Sequence, residues 1–393
     1  MAALPEPTAE QKSHSQQLYQ TVIEAIDDCT AIGFDQYMAM ALYQPGLGYY
    51  AAGSQKFGAA GDFITSPEVS PLFAQSLARQ LQQVLVTLTD AIVIEFGAGS
   101  GLLASDLLLE LEALDCLPEA YWIIEVSAEL QQRQQQLLQQ KCPHLAGKLR
   151  WLQQLPEQPV NAVVIANEVL DAMPVRVFEK QNGELFECKI EHSASKLNWV
   201  NTAADASLQA AVAEIEDTTG QLLPDNYRSE YNPSVKPWLN SIHTMLGQGL
   251  VLLIDYGYDG RQYYSAERDM GTLMCYYQHR AHDNVFFYPG LQDITAFVDF
   301  TGVAEAAFEI GFDVMGYTTQ AQFLLGCGLP EIFENKMSAL SDQQISQQMQ
   351  LSQQVKTLTL PGEMGERFKV MALGKGLQPG LRGFSLADFR TRL

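Results

Sequence analysis

The sequence predicts an α/β fold built on a mainly parallel sheet, and three observations carry that prediction. Apolar runs recur along the chain, at 92–94, 121–126, 162–166 and 250–255, the first of them β-branched throughout. Runs this short, without polar alternation, suit strands buried on both faces. Segments with helical spacing lie between them, and strands alternating with helices imply right-handed crossovers. Finally, the run at 92–94 leads through Glu95 into Gly97, Gly99 and Gly101, after which Leu102 onward reads as a helix. Such a turn brings backbone close to a ligand and presents the free N–H groups of a helix N-terminus.

In chain order, residues 14–45 read as helical, with Leu18, Val22, Ile23 and Ile26 on one face and Phe34, Met38 and Leu42 following. Leu47 to Phe73 mixes glycines, aromatics and small polar residues, which reads as a loop. Ser70 and Pro71 then start a helix through about Val86, since proline suits the first helical position. After the strand at 121–126 comes a Gln-rich helix over about 128–140, then a short strand over 148–152 and another at 162–166. About eighty residues separate that strand from the one at 250–255, far more than one crossover requires. They hold an expected hairpin (185–190 with 197–200) and a helix (208–215). The aromatic stretch after Gly257 reads as irregular and functional. A helix is expected over 293–301, a strand over 312–318, helix over 320–354 and a last strand over 367–374. The expected organisation is therefore an N-terminal part (1–88), a core (89–374) with insertions at about 180–245 and 258–300 and a helical segment at about 320–355, and a tail (375–393).

Composition narrows the function. The 393 residues are 47% hydrophobic and 18% charged, ordinary for a globular chain, and no apolar run approaches the ~18 residues of a membrane span. With no basic start or apolar h-region at the N-terminus, a cytoplasmic location is expected. The six cysteines form no C-x-x-C pair, so reduced thiols are expected, and neither zinc nor disulfides are supported. Only 24 basic residues face 46 acidic ones, a net charge of −22. That disfavours nucleic acid and would draw in a basic protein segment; the same charge would also serve solubility alone.

The spacing G-x-G-x-G, with Leu102 in the sixth place, departs from the G-x-G-x-x-G of dinucleotide sites. Glu95 just before the loop would repel a diphosphate but pair with the ammonium of an amino-acid ligand, and S-adenosylmethionine (SAM) carries such a group and no phosphate. A nicotinamide dehydrogenase is opposed by the missing glycine. Glu125, twenty-four positions after Gly101 and followed by Val126, stands where doubly wound folds place the acid that accepts from ribose hydroxyls. Asn167, Glu168 and Asp171 cluster past the strand at 162–166, at the carboxyl edge where ligands sit. As candidate catalytic residues they would orient a methyl acceptor, and the two carboxylates would suit a cationic arginine. Glu168 and Asp171 would equally cap the turn before Pro174. His279 and His282 form an H-x-x-H without the further ligands a metal site needs; either imidazole would serve as a base, or be an ordinary surface histidine.

Taken together, G-L-G-Y-Y, F-G-A-A-G-D-F-I-T-S-P-E-V-S, I-E-F-G-A-G-S-G, A-N-E-V-L-D-A-M-P-V, G-T-L-M-C-Y and P-G-L-Q-D-I-T-A-F-V-D-F resemble the MidA-type SAM-dependent methyltransferases. Mitochondrial members of that family are linked to protein-arginine methylation and complex I assembly. The resemblance, from about Phe34 to Gly374, implies a class I methyltransferase core with a seven-stranded Rossmann-like sheet, an N-terminal helical extension and inserted lid elements. It also implies that Gly61, Asp62, Phe63, Thr65 and Ser66 line the cofactor cleft beside the glycine loop; Asn167, at the carboxyl edge of the sheet, is expected to contact the cofactor as well. Phe96 and Ala98 stand where family loops often carry Leu and Pro. The expected function is methyl transfer from SAM to a protein side chain, arginine favoured; the alternative is a SAM-binding assembly protein with little activity.

Overall fold

The computed structural model describes residues 4–52, 65–341 and 343–393. The chain forms two compact units, one from Met1–Phe63, Leu170–Pro237 and Tyr258–Gly302, the other from Ile64–Val169, Trp238–Gly257 and Val303–Leu393.

The second unit holds the expected sheet. Its strands are β1 (Ile92–Phe96), β2 (Tyr121–Ile124), β3 (Leu149–Leu152), β4 (Val160–Asn167), β5 (Leu246–Tyr258), β6 (Asp313–Thr319) and β7 (Phe368–Lys375). They lie in the order β3-β2-β1-β4-β5-β7-β6. The first five run parallel, and β7 is antiparallel to both of its neighbours. This is the class I methyltransferase arrangement. Val93, Ile123, Val163, Ile165, Leu252 and Ile254 are buried in one cluster with Leu72, Leu77 and Leu81 from the helix Pro71–Leu85 and with Leu103, Leu107 and Leu111 from the helix Leu102–Ala113. Each such side chain contributes about 1.5–3 kcal/mol by leaving water. Ser70 caps the first of these helices and Pro71 occupies its first position, as the sequence predicts. The chain leaves β1 toward β2 on one side and returns to β4 on the other. The strand order therefore reverses between β1 and β4, the position at which open α/β sheets bind ligands.

The first unit is described by itself. Its N-terminal part is two helices, Ala9–Asp27 and Phe34–Tyr43, the second carrying Phe34, Met38 and Leu42 as a separate segment. Thr30, with φ 74°, breaks the first, and the two-residue strand Ile32–Gly33 intervenes. That strand pairs with Glu184–Ser193 in a five-stranded antiparallel sheet. The expected hairpin is present as Glu184–Ser193 against Lys196–Ala203, and Ala206–Thr219 is the expected helix. A second sheet of three short strands, Met274–Tyr277, Arg280–His282 and Asp293–Thr295, occupies the aromatic segment read as irregular. The helix expected over 293–301 is absent. Asp293–Thr295 and Val298–Asp299 are strands, and helix begins only at Phe300, where the Asp299 carboxylate accepts from Thr301 N at 3.1 Å. Over 320–354 the structure has three helices, Gln320–Gly326, Leu329–Ala339 and Ile345–Thr359.

Candidate active site

Parallel pairing puts the ends of β1 and β4 side by side: Glu95 is opposite Ile165 and Phe96 opposite Ala166, so Gly97 and Asn167 leave the sheet together. Gly97, Gly99 and Gly101 have φ of 60°, 52° and 85°, the left-handed region that a side chain makes costly, and Gly101 directly precedes the helix Leu102–Ala113. The glycines of the motif are there because this bend needs them.

Glu95 is 2% exposed and accepts from Tyr121 Oη at 2.7 Å. Burial pushes its carboxyl up to about 7, against the lowering effect of the Tyr121 bond, and the charge of Glu125 raises it further. It is therefore half ionised near neutrality and would gain from a cation placed beside it. Glu125 follows β2 and is also buried. Its Oε1 accepts from Ser127 N at 2.9 Å and its Oε2 from Gln134 Nε2 at 3.1 Å. Burial raises its pKa and those bonds oppose the rise. Val126 is 74% exposed, an apolar surface standing open next to that carboxylate.

At the end of β4, Asn167 Nδ2 donates to Glu168 Oε1 at 3.2 Å, while Asn167 Oδ1 is buried and accepts no hydrogen bond among the described residues. Glu168 has φ 53°, a conformation costing a non-glycine residue about 1–3 kcal/mol. It is held there by Glu168 N donating to Ile254 O at 2.9 Å and by the next amide, Val169 N, donating to Asp255 Oδ2 at 3.2 Å. Asp255, a fully buried carboxylate on β5, escaped the sequence reading because it looks like the last residue of an apolar strand.

Asp171 lies in the first unit, buried, with its carbonyl accepting from Ala296 N at 2.9 Å. Gly61, Asp62 and Phe63 lie outside the described residues. Thr65 precedes the short helix Ser66–Val69. Ser66 is fully buried, its hydroxyl donating to Gln320 Oε1 at 2.9 Å. His279 sits in the turn before Arg280–His282, and His282 is buried with Nδ1 accepting from Asn284 N at 3.3 Å. Burial lowers the His282 pKa. No group of acidic, Cys and His side chains suited to a metal ion occurs among the described residues, and no described helix is long and apolar enough to cross a membrane.

A backbone bend lined by glycine, two buried carboxylates at successive strand ends and an orphaned Asn167 oxygen are a donor and acceptor set that fits SAM: an ammonium for Glu95, ribose hydroxyls for Glu125. Comparison with known proteins agrees. Residues 73–318 match a family model described as "Putative S-adenosyl-L-methionine-dependent methyltransferase". A solved protein from Burkholderia thailandensis, bound to S-adenosyl-homocysteine, is 38% identical and superposes with TM-score 0.93, covering 100% of both chains. "Protein arginine methyltransferase NDUFAF7 homolog, mitochondrial" of Caenorhabditis elegans is 27% identical over 86% of this chain and 82% of its own length. The human "Protein arginine methyltransferase NDUFAF7, mitochondrial" is 27% identical over 86% and 79%.

Proposed function

The chain belongs to the family of S-adenosyl-L-methionine-dependent methyltransferases matched over residues 73–318, and from that premise we propose that its acceptor is a protein side chain, arginine first. The observation that carries this reading is Glu168, a carboxylate held in a costly backbone conformation at the end of β4, beside the glycine loop. Support comes from the printed names of the relatives, protein arginine methyltransferases, and from the net charge of −22, which attracts a basic segment.

In this reading Glu95 pairs with the cofactor's ammonium, the backbone of Gly97, Gly99 and Gly101 lies along its amino-acid end, Glu125 accepts from the ribose and Val126 covers the base. Asn167, which leaves the sheet beside Gly97, contributes from the β4 side. Thr65 stays in the reading as a cleft residue, while Ser66, committed to Gln320, supports the fold behind it. When bound, SAM supplies a sulfonium methyl that an acceptor lone pair attacks in line. Glu168 grips the guanidinium, which stays cationic at any accessible pH, and concentrates its charge on the gripped nitrogens so that another is presented to the methyl. Such positioning is worth up to roughly 7–11 kcal/mol of barrier. Asn167 holds Glu168 in turn, through the Nδ2 bond.

The test is transfer of labelled methyl from SAM to a cell extract, with mass spectrometry of the labelled polypeptide. Methylarginine within a protein is expected. Label confined to small molecules, to another side chain, or absent despite measured SAM binding would overturn the reading.

A further inference from the structure

We propose that Gln134 is a positioning residue for the cofactor: its carboxamide ties the glycine loop to Glu125 and fixes the direction in which that carboxylate faces. The inference rests on the reading of Glu125 as the ribose acceptor.

Gln134 lies in the helix Ala128–Lys141, whose other glutamines give it its composition. Gln132, Gln135, Gln136, Gln139 and Gln140 are exposed, whereas Gln134 is fully buried. A buried amide is costly unless its hydrogen bonds are made, and here they are. Nε2 donates to Gly99 O at 3.0 Å and to Glu125 Oε2 at 3.1 Å, while Oε1 accepts from Trp151 Nε1 at 2.9 Å.

The indole settles which way round the amide sits. An indole N–H can only donate, so the amide oxygen must face Trp151 on β3, and both amide hydrogens are left for the two acceptors on the other side. Rotated by half a turn, the amide would set its oxygen against a carboxylate and a carbonyl. Ser127 N holds Oε1 of Glu125 and Gln134 holds Oε2, so neither oxygen is free to swing, and their remaining lone pairs are left for a ligand. Packing ties the same residue to the loop: a Cβ on Gly101 would stand 3.3 Å from Gln134 Cα. One side chain thus joins β3, the glycine bend and the acid after β2.

The test is calorimetric titration of the full chain with S-adenosylhomocysteine and with its 2′,3′-dideoxy analogue, for wild type, Gln134→Met and Trp151→Phe. Methionine keeps the length and volume of glutamine without its hydrogen bonds. Wild type should prefer the ribose compound by at least about tenfold, Gln134→Met should bring that preference to within about threefold, and Trp151→Phe should fall between. A merely structural role would weaken both ligands equally and leave the preference intact, which overturns the inference. If Gln134→Met does not fold, Trp151→Phe decides: a reduced preference supports the inference and an unchanged one overturns it. Equal affinity of wild type for the two ligands would instead remove the ribose reading on which the inference stands.

Discussion

The two strand ends that meet at the point where the sheet order reverses are built differently. On the β1 and β2 side, Glu95 is held by Tyr121, and Glu125 by Ser127 and Gln134, in buried positions where the hydrogen bonds of the fold are made. On the β4 side, Glu168 is in a left-handed conformation and Asn167 Oδ1 is buried without a partner among the described residues. Carboxylates fixed by the fold's own donors, with lone pairs still left for a ligand, suit groups that bind the same cofactor every turnover. Strain and an unspent acceptor suit the place where an acceptor is aligned, since such costs persist where function keeps them. In the proposed reading, holding and reacting are divided between neighbouring strand ends rather than mixed in one loop.

The contrast is broken hardest by Gly97→Val. A β-branched residue at φ 60° strains the bend and blocks backbone approach, so affinity for S-adenosylhomocysteine by calorimetry should fall at least ~100-fold. Next comes Glu168→Gly, which relieves the left-handed strain and removes the carboxylate. Turnover should drop roughly 100-fold while the melting temperature stays level or rises and cofactor affinity holds within about threefold. A parallel loss of stability would place Glu168 among the structural residues instead.

Glu95 sharpens the comparison through pH. Its folded pKa, about 7, lies above the ordinary 4.5, so between those values the folded state holds more protons than the unfolded one. The stability of the free protein therefore falls as pH rises from about 4.5 to 7, by up to about 3 kcal/mol, and levels off above. Pairing with an ammonium needs the ionised form, so cofactor affinity should rise about tenfold from pH 6 to pH 8. Glu95→Gln should flatten both profiles in thermal melts and titrations. The smallest effect is expected of Tyr121→Phe: losing its bond to Glu95 should move the midpoint of the affinity profile up by about one pH unit.

Much of this was legible in the chain. β1, β2, β4 and β5 announce themselves because strands buried on both faces must be largely apolar, and the glycines because the bend requires positive φ. The strands Arg176–Gln181 and Tyr227–Tyr231 do not, since their charged residues look solvent-facing. The structure satisfies them sideways, Arg176 Nε on Glu187 at 2.8 Å and Lys180 Nζ on Glu216 at 2.7 Å. The stretch 293–301 failed for a related reason: Asp293 is buried inside a short strand, and its sequence carries the same spacing as a helix start. At the proposed site, the positions of Glu95, Glu125 and Asn167 at strand ends were legible from the apolar runs before them. Gln134 and Asp255 were not, because a buried glutamine in a Gln-rich helix differs from its neighbours only in what it touches.

The central claim is that the ends of β1 and β2 hold the cofactor while the end of β4 faces the acceptor. The most direct measurement is a crystal structure of this chain with S-adenosylhomocysteine. The account predicts the homocysteine ammonium at Glu95, ribose hydroxyls within hydrogen-bond distance of Glu125, and the sulfur directed toward Asn167 and Glu168. Ligand density away from Gly97–Gly101, or a ribose that leaves Glu125 untouched, would contradict it.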